Sequence, residues 1–190
     1  MSNIWITSDW HFCHDRDFLY APRGFHSVWE MNKELVARYN EVVDRDDDVY
    51  VLGDLMLNND QIGLTFIKEL KGNIHIIRGN HDTDTRIPQY SSCWNVVEVC
   101  EGKFLNYNNY HFYLSHYPCL CSNWDYDKPL KARTISLCGH THTKDKFVDM
   151  DKGIIYHCEV DAHYCYPVEI NQIIKDIKER IYKDGEKNVP

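Results

Sequence analysis

No stretch of the 190 residues approaches the roughly 18 consecutive apolar residues of a membrane span, so no transmembrane segment is expected. The opening MSNIWITSDWHF lacks both a basic n-region and a continuous apolar h-region, and therefore no secretory leader is expected either. None of the eight cysteines forms a C-x-x-C pair, and without a leader they read as small buried hydrophobes in a reducing cytoplasm. Basic residues are in the minority, 21 against 29 acidic, for a net charge of -8 with histidine neutral. A protein that coats long nucleic acid needs a basic footprint, so that class is set aside. Repeats, low-complexity stretches and linkers are missing too, which predicts a single domain over residues 1–183 with a frayed tail at 184–190. A chain of this length buries roughly 70% of its unfolded surface. What the sequence has in excess is histidine, 11 residues.

Over the first 80 residues, short β-rich runs alternate with helical patterns. Ile4 to Ser8, Val49 to Leu52 and Ile74 to Arg78 read as strands. Ser27 and Glu30 have capping-box spacing, and Val28, Met31, Leu35, Tyr39 and Val42 follow on one helical face. Ile62, Phe66, Ile67 and Leu70, closed by Gly72, predict a second helix. This alternation is the pattern of a parallel α/β sheet. From residue 96 the texture changes to short strands, at Val96–Val99, Phe104–Tyr107, Tyr110–Ser115, Thr134–Cys138 and Ile154–Val160, with a hairpin turn at Asn108-Asn109. A last helix carries Ile170, Ile173, Ile174, Ile177 and Ile181.

The polar residues fall where the strands end. Strand one leads into Asp9-Trp10-His11, strand two into Gly53-Asp54, and strand three into Gly79-Asn80-His81-Asp82. Later strands lead into His116 and into Gly139-His140-Thr141-His142. In an open α/β sheet the carboxyl ends of the strands share one rim, where ligands bind. Five strand ends thus deliver three Asp, one Asn and five His to one place. Asp-x-His alone, or an Asp after a glycine alone, is as well explained by turn chemistry. The set in this order is not. Carboxylate, carboxamide and imidazole together suit borderline cations such as Mn, Fe or Zn. Two such ions about 3.5–4 Å apart share a bridging carboxylate, acidify a bridging water and neutralise a phosphate, presenting hydroxide in line with phosphorus.

These blocks resemble the calcineurin-like metallophosphoesterase superfamily, whose pattern runs D-x-H, G-D, G-N-H-[DE], H, G-H-x-H; the match extends in order from residue 4 to about 165. The resemblance implies a four-layer α/β/β/α sandwich. It implies that Asp9, His11, Asp54 and His142 hold one metal and that Asp54, Asn80, His116 and His140 hold the other. It also implies that His81 protonates the leaving oxygen, and that Mn is the foremost metal with Fe, Zn or Ni as alternates. Ser8-Asp9-Trp10-His11-Phe12-Cys13-His14, Tyr39-Asn40 and the segment Val160 to Val168 resemble the compact prokaryotic and phage-type branch.

In the protein-phosphatase branch a second Asp follows Gly-Asp by three residues, where this chain has Leu55-Met56-Leu57. His81 is then left to be oriented by Asp82, backbone or substrate. His14, Arg16 and Arg23 in the loop after His11 are candidates, with Asn80, for holding a phosphate oxygen. Tyr117, Trp124 and Tyr126 are candidates for a wall against a base or aryl group, whereas His26, His75, His111, His157 and His163 read as structural. The expected activity is hydrolysis of a small phosphodiester, such as a nucleotide or cyclic nucleotide, by a metal-bridging hydroxide. A phosphomonoesterase is the alternative, and a non-catalytic protein-binding scaffold the rival from another class.

Overall fold

The computed structural model describes residues 2–120, 128–148 and 153–187. Four parallel strands, β1 (Ile4–Thr7), β2 (Asp48–Val51), β3 (Asn73–Ile77) and β4 (Val96–Cys100), form a sheet in the order β4-β3-β2-β1. A two-residue strand, β9 (Val168–Glu169), pairs antiparallel with β1 at its edge. The helices between them are α1 (Asp17–Tyr20), α2 (Val28–Val42), α3 (Asp60–Glu69) and α4 (Ile87–Ser91). Helix α2 begins as the capping box predicts: the Ser27 hydroxyl accepts from Glu30 N at 3.1 Å, and the Glu30 carboxylate accepts from His26 N at 2.7 Å. Helix α3 is capped by the Asn59 side chain, which accepts from Ile62 N.

The second sheet contains β5 (Lys103–Tyr107), β6 (Tyr110–Leu114), β7 (Thr134–Cys138) and β8 (Ile154–His157), in that order. Only the β5–β6 hairpin is antiparallel; β6, β7 and β8 run parallel. Asn108 and Asn109 make its two-residue turn with φ of 50° and 64°, a left-handed pair that asparagine tolerates better than most residues.

Period-two patterning sends alternate β-strand residues into two cores. Val49, Val51, Ile74 and Ile76 meet Met31, Leu35, Phe66, Ile67 and Tyr90 of α2, α3 and α4. The opposite face sends Ile6, Tyr50, Leu52 and Ile77 against Phe112, Leu114, Ile135 and Leu137 of the second sheet. Ile170, Ile173, Ile174 and Ile177 of α5 (Ile170–Lys187) close that second core. Each large aliphatic or aromatic side chain buried in this way contributes roughly 1.5–3 kcal/mol before entropy is counted. The result is a mixed α/β fold of two facing sheets with helices.

Several expectations need correction. The last expected strand stops at His157, and Val160–Ala162 form a 3-10 turn. Helix α5 continues to Lys187, so the tail expected to fray from 184 is helical over its first four residues. Trp124, Tyr126 and Cys121 lie outside the described residues.

Candidate metal centre

The loops that leave β1 and β2 stay zipped together beyond the sheet. Asp9 N donates to Gly53 O, His11 N to Asp54 O, and Phe12 N to Leu55 O, all near 3.0 Å. To do so while turning their side chains to the rim, Asp9, His11 and Asp54 adopt φ of 58°, 52° and 56°. His140 and His142, after β7, are likewise left-handed at 76° and 51°. Non-glycine residues are uncommon there and the conformation costs about 1–2 kcal/mol each, so this clustering belongs to a functional rim rather than to ordinary turns.

One oxygen lies at the centre. Asp54 Oδ2 is 3.5 Å from His11 Nε2, 3.6 Å from His116 Nε2 and 3.9 Å from His81 Nε2. On one side, His11 Nε2 and His142 Nε2 are 3.1 Å apart, and each is 3.7 Å from Asp9 Oδ1, a buried oxygen with no hydrogen-bond partner. On the other side, His116 Nε2 is 2.9 Å from Asn80 Oδ1 and 3.1 Å from His140 Nδ1. His116 Nδ1 donates to Leu52 O at 2.7 Å, and His142 Nδ1 to Asp161 Oδ2 at 2.9 Å. Those bonds leave bare lone pairs on both Nε2 atoms. Asp9 Oδ1, Asp54 Oδ2, Asn80 Oδ1 and the Nε2 atoms of His116 and His142 thus gather as acceptors on one pocket floor, an arrangement that a cation resolves.

The electrostatics of Asp9 and His11 agree with that role, whereas His142 is shifted toward its protonated form. Burial opposes ionisation of Asp9, yet the neighbouring His11, His142 and His116 outweigh it and hold the carboxyl below its usual range. Burial pushes His11 down toward the neutral ligand form. For His142 the Asp161 carboxylate outweighs burial and raises the imidazole.

The sequence profile of the calcineurin-like phosphoesterases matches residues 2–187. The chain belongs to that family. A calcineurin-like phosphoesterase is a metal-dependent phosphoric ester hydrolase, and the donor set just described fits the metal requirement. This one is 31% identical over 184 residues to the protein MJ1445 of Methanocaldococcus jannaschii, covering 94% of this chain and 93% of that one. It is 26% identical over 207 residues to the gene 66 protein of Mycobacterium phage D29, covering 94% and 99% respectively. Its fold is similar to that of AQ665 from Aquifex aeolicus, a protein of unknown function, with a TM-score of 0.69 at 21% identity, over 92% of this chain and 99% of the other.

Around the acceptors of this calcineurin-like phosphoesterase, the remaining candidates separate. His81 is on the rim with its side chain 40% exposed. Its backbone is fixed at both ends, N–H to Asp54 Oδ1 at 2.8 Å and carbonyl to Arg86 at 2.6 Å. Asp82 does not orient it. That carboxylate is fully buried and accepts from Asp54 N, Leu55 N, Gly79 N and the Tyr90 hydroxyl, binding the β2 and β3 loops together. The catalytic expectation for Asp82 is therefore replaced by a structural role, and His81 has no side-chain hydrogen bond among the described residues. Leu55 and Met56, standing where protein phosphatases continue toward their second Asp, are buried in the helix-side core.

Arg23 is also redirected. Its guanidinium holds both oxygens of Asp161, at 2.9 and 2.7 Å, and donates to the carbonyls of Asp9 and Trp10. With its side chain 1% exposed, it braces the ligand loop instead of meeting a phosphate. Arg16 is exposed at the start of α1. His14 does line the cavity over the centre, about 500 Å³ in volume, with His11, His81, His142, Phe18 and Lys144. Burial and the nearby His11 and His81 depress His14 to about 4. Tyr117 packs edge-on against His116 and His140, with ring centroids 5.0 and 4.7 Å away.

Two buried carboxylates were not assigned a role from sequence. Asp161 orients His142, and Glu159 accepts from Thr141 Oγ1 at 2.8 Å and Thr143 N at 3.3 Å, pinning the His140–His142 loop. The Val160-Asp161 pair was visible as part of a terminal motif; Glu159 carried no such signal.

Proposed function

We propose that this phosphoesterase is a dinuclear enzyme that hydrolyses a small phosphodiester of the nucleotide or cyclic-nucleotide class in the cytoplasm. The observation that carries the reading is Asp54 Oδ2, one carboxylate oxygen at 3.5 and 3.6 Å from imidazole nitrogens of two separate ligand groups. Asp9, His11 and His142 would hold one ion with it, and Asn80, His116 and His140 the other. Mn is the first choice by donor chemistry, with Fe, Zn and Ni also suited. When bound, such ions supply Lewis acidity and an activated water.

The other steps fall to the chain. His81, partly exposed at the rim with its backbone held at both ends, faces the position of a leaving oxygen and gives that oxygen a proton. His14 borders the same cavity, and it and Asn80, beside His116, position the phosphoryl group. Phe18, Leu19 and Pro22 wall the cavity beside His11 and His142, while Tyr117 stands beside His116 and His140. Two apolar walls flanking one phosphoryl position suit a phosphorus with two organic substituents, and this favours the diester. Long nucleic acid and membranes are not expected as partners.

Metal analysis should find two ions per chain, and with Mn present bis-aryl phosphate should exceed mono-aryl phosphate in kcat/KM by about tenfold or more, some 1.4 kcal/mol in the barrier. Faster monoester turnover would make it a phosphatase. Absence of both bound metal and turnover would leave a binding scaffold.

A further inference from the structure

The cavity over the metal centre does not end at its apolar wall. Pro22, Lys144 and Asp161 also line a second cavity of about 320 Å³, so the two hollows adjoin. The ammonium of Lys144, donating to Pro22 O at 3.3 Å, stands on the divide. The second hollow is lined by four cations, of which Lys144 is left without a countercharge among the described residues. Arg23, Arg38, Lys144 and Lys146 line it against a single carboxylate, Asp161, whose two oxygens are already held by Arg23. Arg38 and Lys146 are partly compensated by Glu34 and Asp176. Lys144 is exposed and has no carboxylate partner among the described residues. In a chain of net charge -8, an unpaired cation set beside three paired ones gives this hollow a local positive bias.

We infer that this hollow is a second anion subsite, taking the phosphate adjacent to the scissile one in a linear phosphodiester. The inference rests on the phosphodiesterase reading and narrows its substrate class: a short oligonucleotide end, with one phosphate on the metal centre and the next on Lys144 and Arg38, is preferred over a cyclic nucleotide with only one. Lys144 serves as the selective group because its charge is shared between the hollows and is not spent on an internal ion pair.

The test compares the dinucleotide TpT with its 5′-phosphorylated and 3′-phosphorylated forms, using the Mn-loaded protein. One phosphorylated isomer should exceed TpT in kcat/KM by about tenfold. Lys144→Glu should bring that ratio close to unity, Arg38→Ala should reduce it, and high salt should erode it, since the added term is charge pairing. Equal kcat/KM for all three dinucleotides, or a preference that survives Lys144→Glu, overturns the subsite. Calorimetric binding of the same three ligands separates this from the fate of the parent reading. Tighter binding of a phosphorylated isomer without turnover of any diester upholds the subsite while refuting diester hydrolysis; equal binding refutes the subsite whether or not diesters are cleaved.

Discussion

Asp161 shows how a residue outside the ligand set governs it. Its Oδ2 fixes the His142 ring through Nδ1, and its own position is fixed by Arg23, which comes from 138 positions earlier in the chain. We expect Asp161→Asn to fold but to bind Mn about 10–100-fold more weakly, the usual consequence of losing a carboxylate behind a metal-binding histidine. A calorimetric Mn titration checks this, with circular dichroism to verify folding. His81→Ala should behave in the opposite manner, keeping its metals and losing about 10²–10⁴ in kcat, more with an alkyl than with an aryl leaving group. The candidate ligands stood out because the blocks after successive strands, taken together and in order, have few structural uses, although Asp-x-His alone has one. The Arg23–Asp161 brace was not, since nothing in local spacing tells an arginine in a loop that its carboxylate is provided by a turn near the other end.

At the scale of elements, the loops after β2 and β3 are packed backbone to backbone. A Cβ on Gly53 would stand 2.6 Å from Gly79 Cα, and one on Gly79 would stand 2.6 Å from Asp54 N and also collide with the Asp54 carboxylate. Gly79→Ala should destabilise the fold by about 1–3 kcal/mol, as overpacking does. Because the collision is with the central carboxylate, Mn affinity should fall further than the melting temperature suggests; a thermal melt and a metal isotherm on one sample decide it. At the far end of the same sheet, buried Asp47 accepts from Asn3 N, Trp5 Nε1 and Asp44 N. Burial raises its pKa, but these donors outweigh it and hold the carboxyl below its usual range. Its contribution is thus complete above about pH 4, the unfolded value, and is lost as pH falls through the lower folded value. Asp47→Asn should lose about 1.5–3 kcal/mol in urea melts at pH 7 and show a shallower acid decline than the parent protein. Helix α2 and the Asn108-Asn109 hairpin could be read from sequence because cap and turn are local. The pairing of β4 with β3 and the two-residue β9 could not, since an edge strand is defined by its neighbour.

For the whole molecule, the balance of charge changes meaning once the centre is considered. The chain is acidic, and its rim gathers carboxylate, carboxamide and imidazole acceptors, so two divalent ions would turn this electron-rich part of the surface into an attractive place for a phosphate. Metal should therefore stabilise the native state as well as activate it. At a hundredfold excess over Kd, one bound ion adds about 2.7 kcal/mol, or a rise of roughly 5–10 °C in Tm at this chain length. Scanning calorimetry of chelator-treated and Mn-reloaded protein gives the comparison, and no change in Tm would argue against tight binding at this rim.

The left-handed backbone at Asp9, His11, Asp54, His140 and His142 carries an evolutionary reading as well. Glycine occupies that conformation without steric penalty, so a lineage released from catalysis and selected only for folding would be pushed toward glycine or asparagine at these five positions. In this chain Asp and His stand there instead, side chains placed where the backbone alone would favour glycine. Descendants that have abandoned the chemistry should be recognisable by glycines in the ligand positions, well before their overall fold diverges.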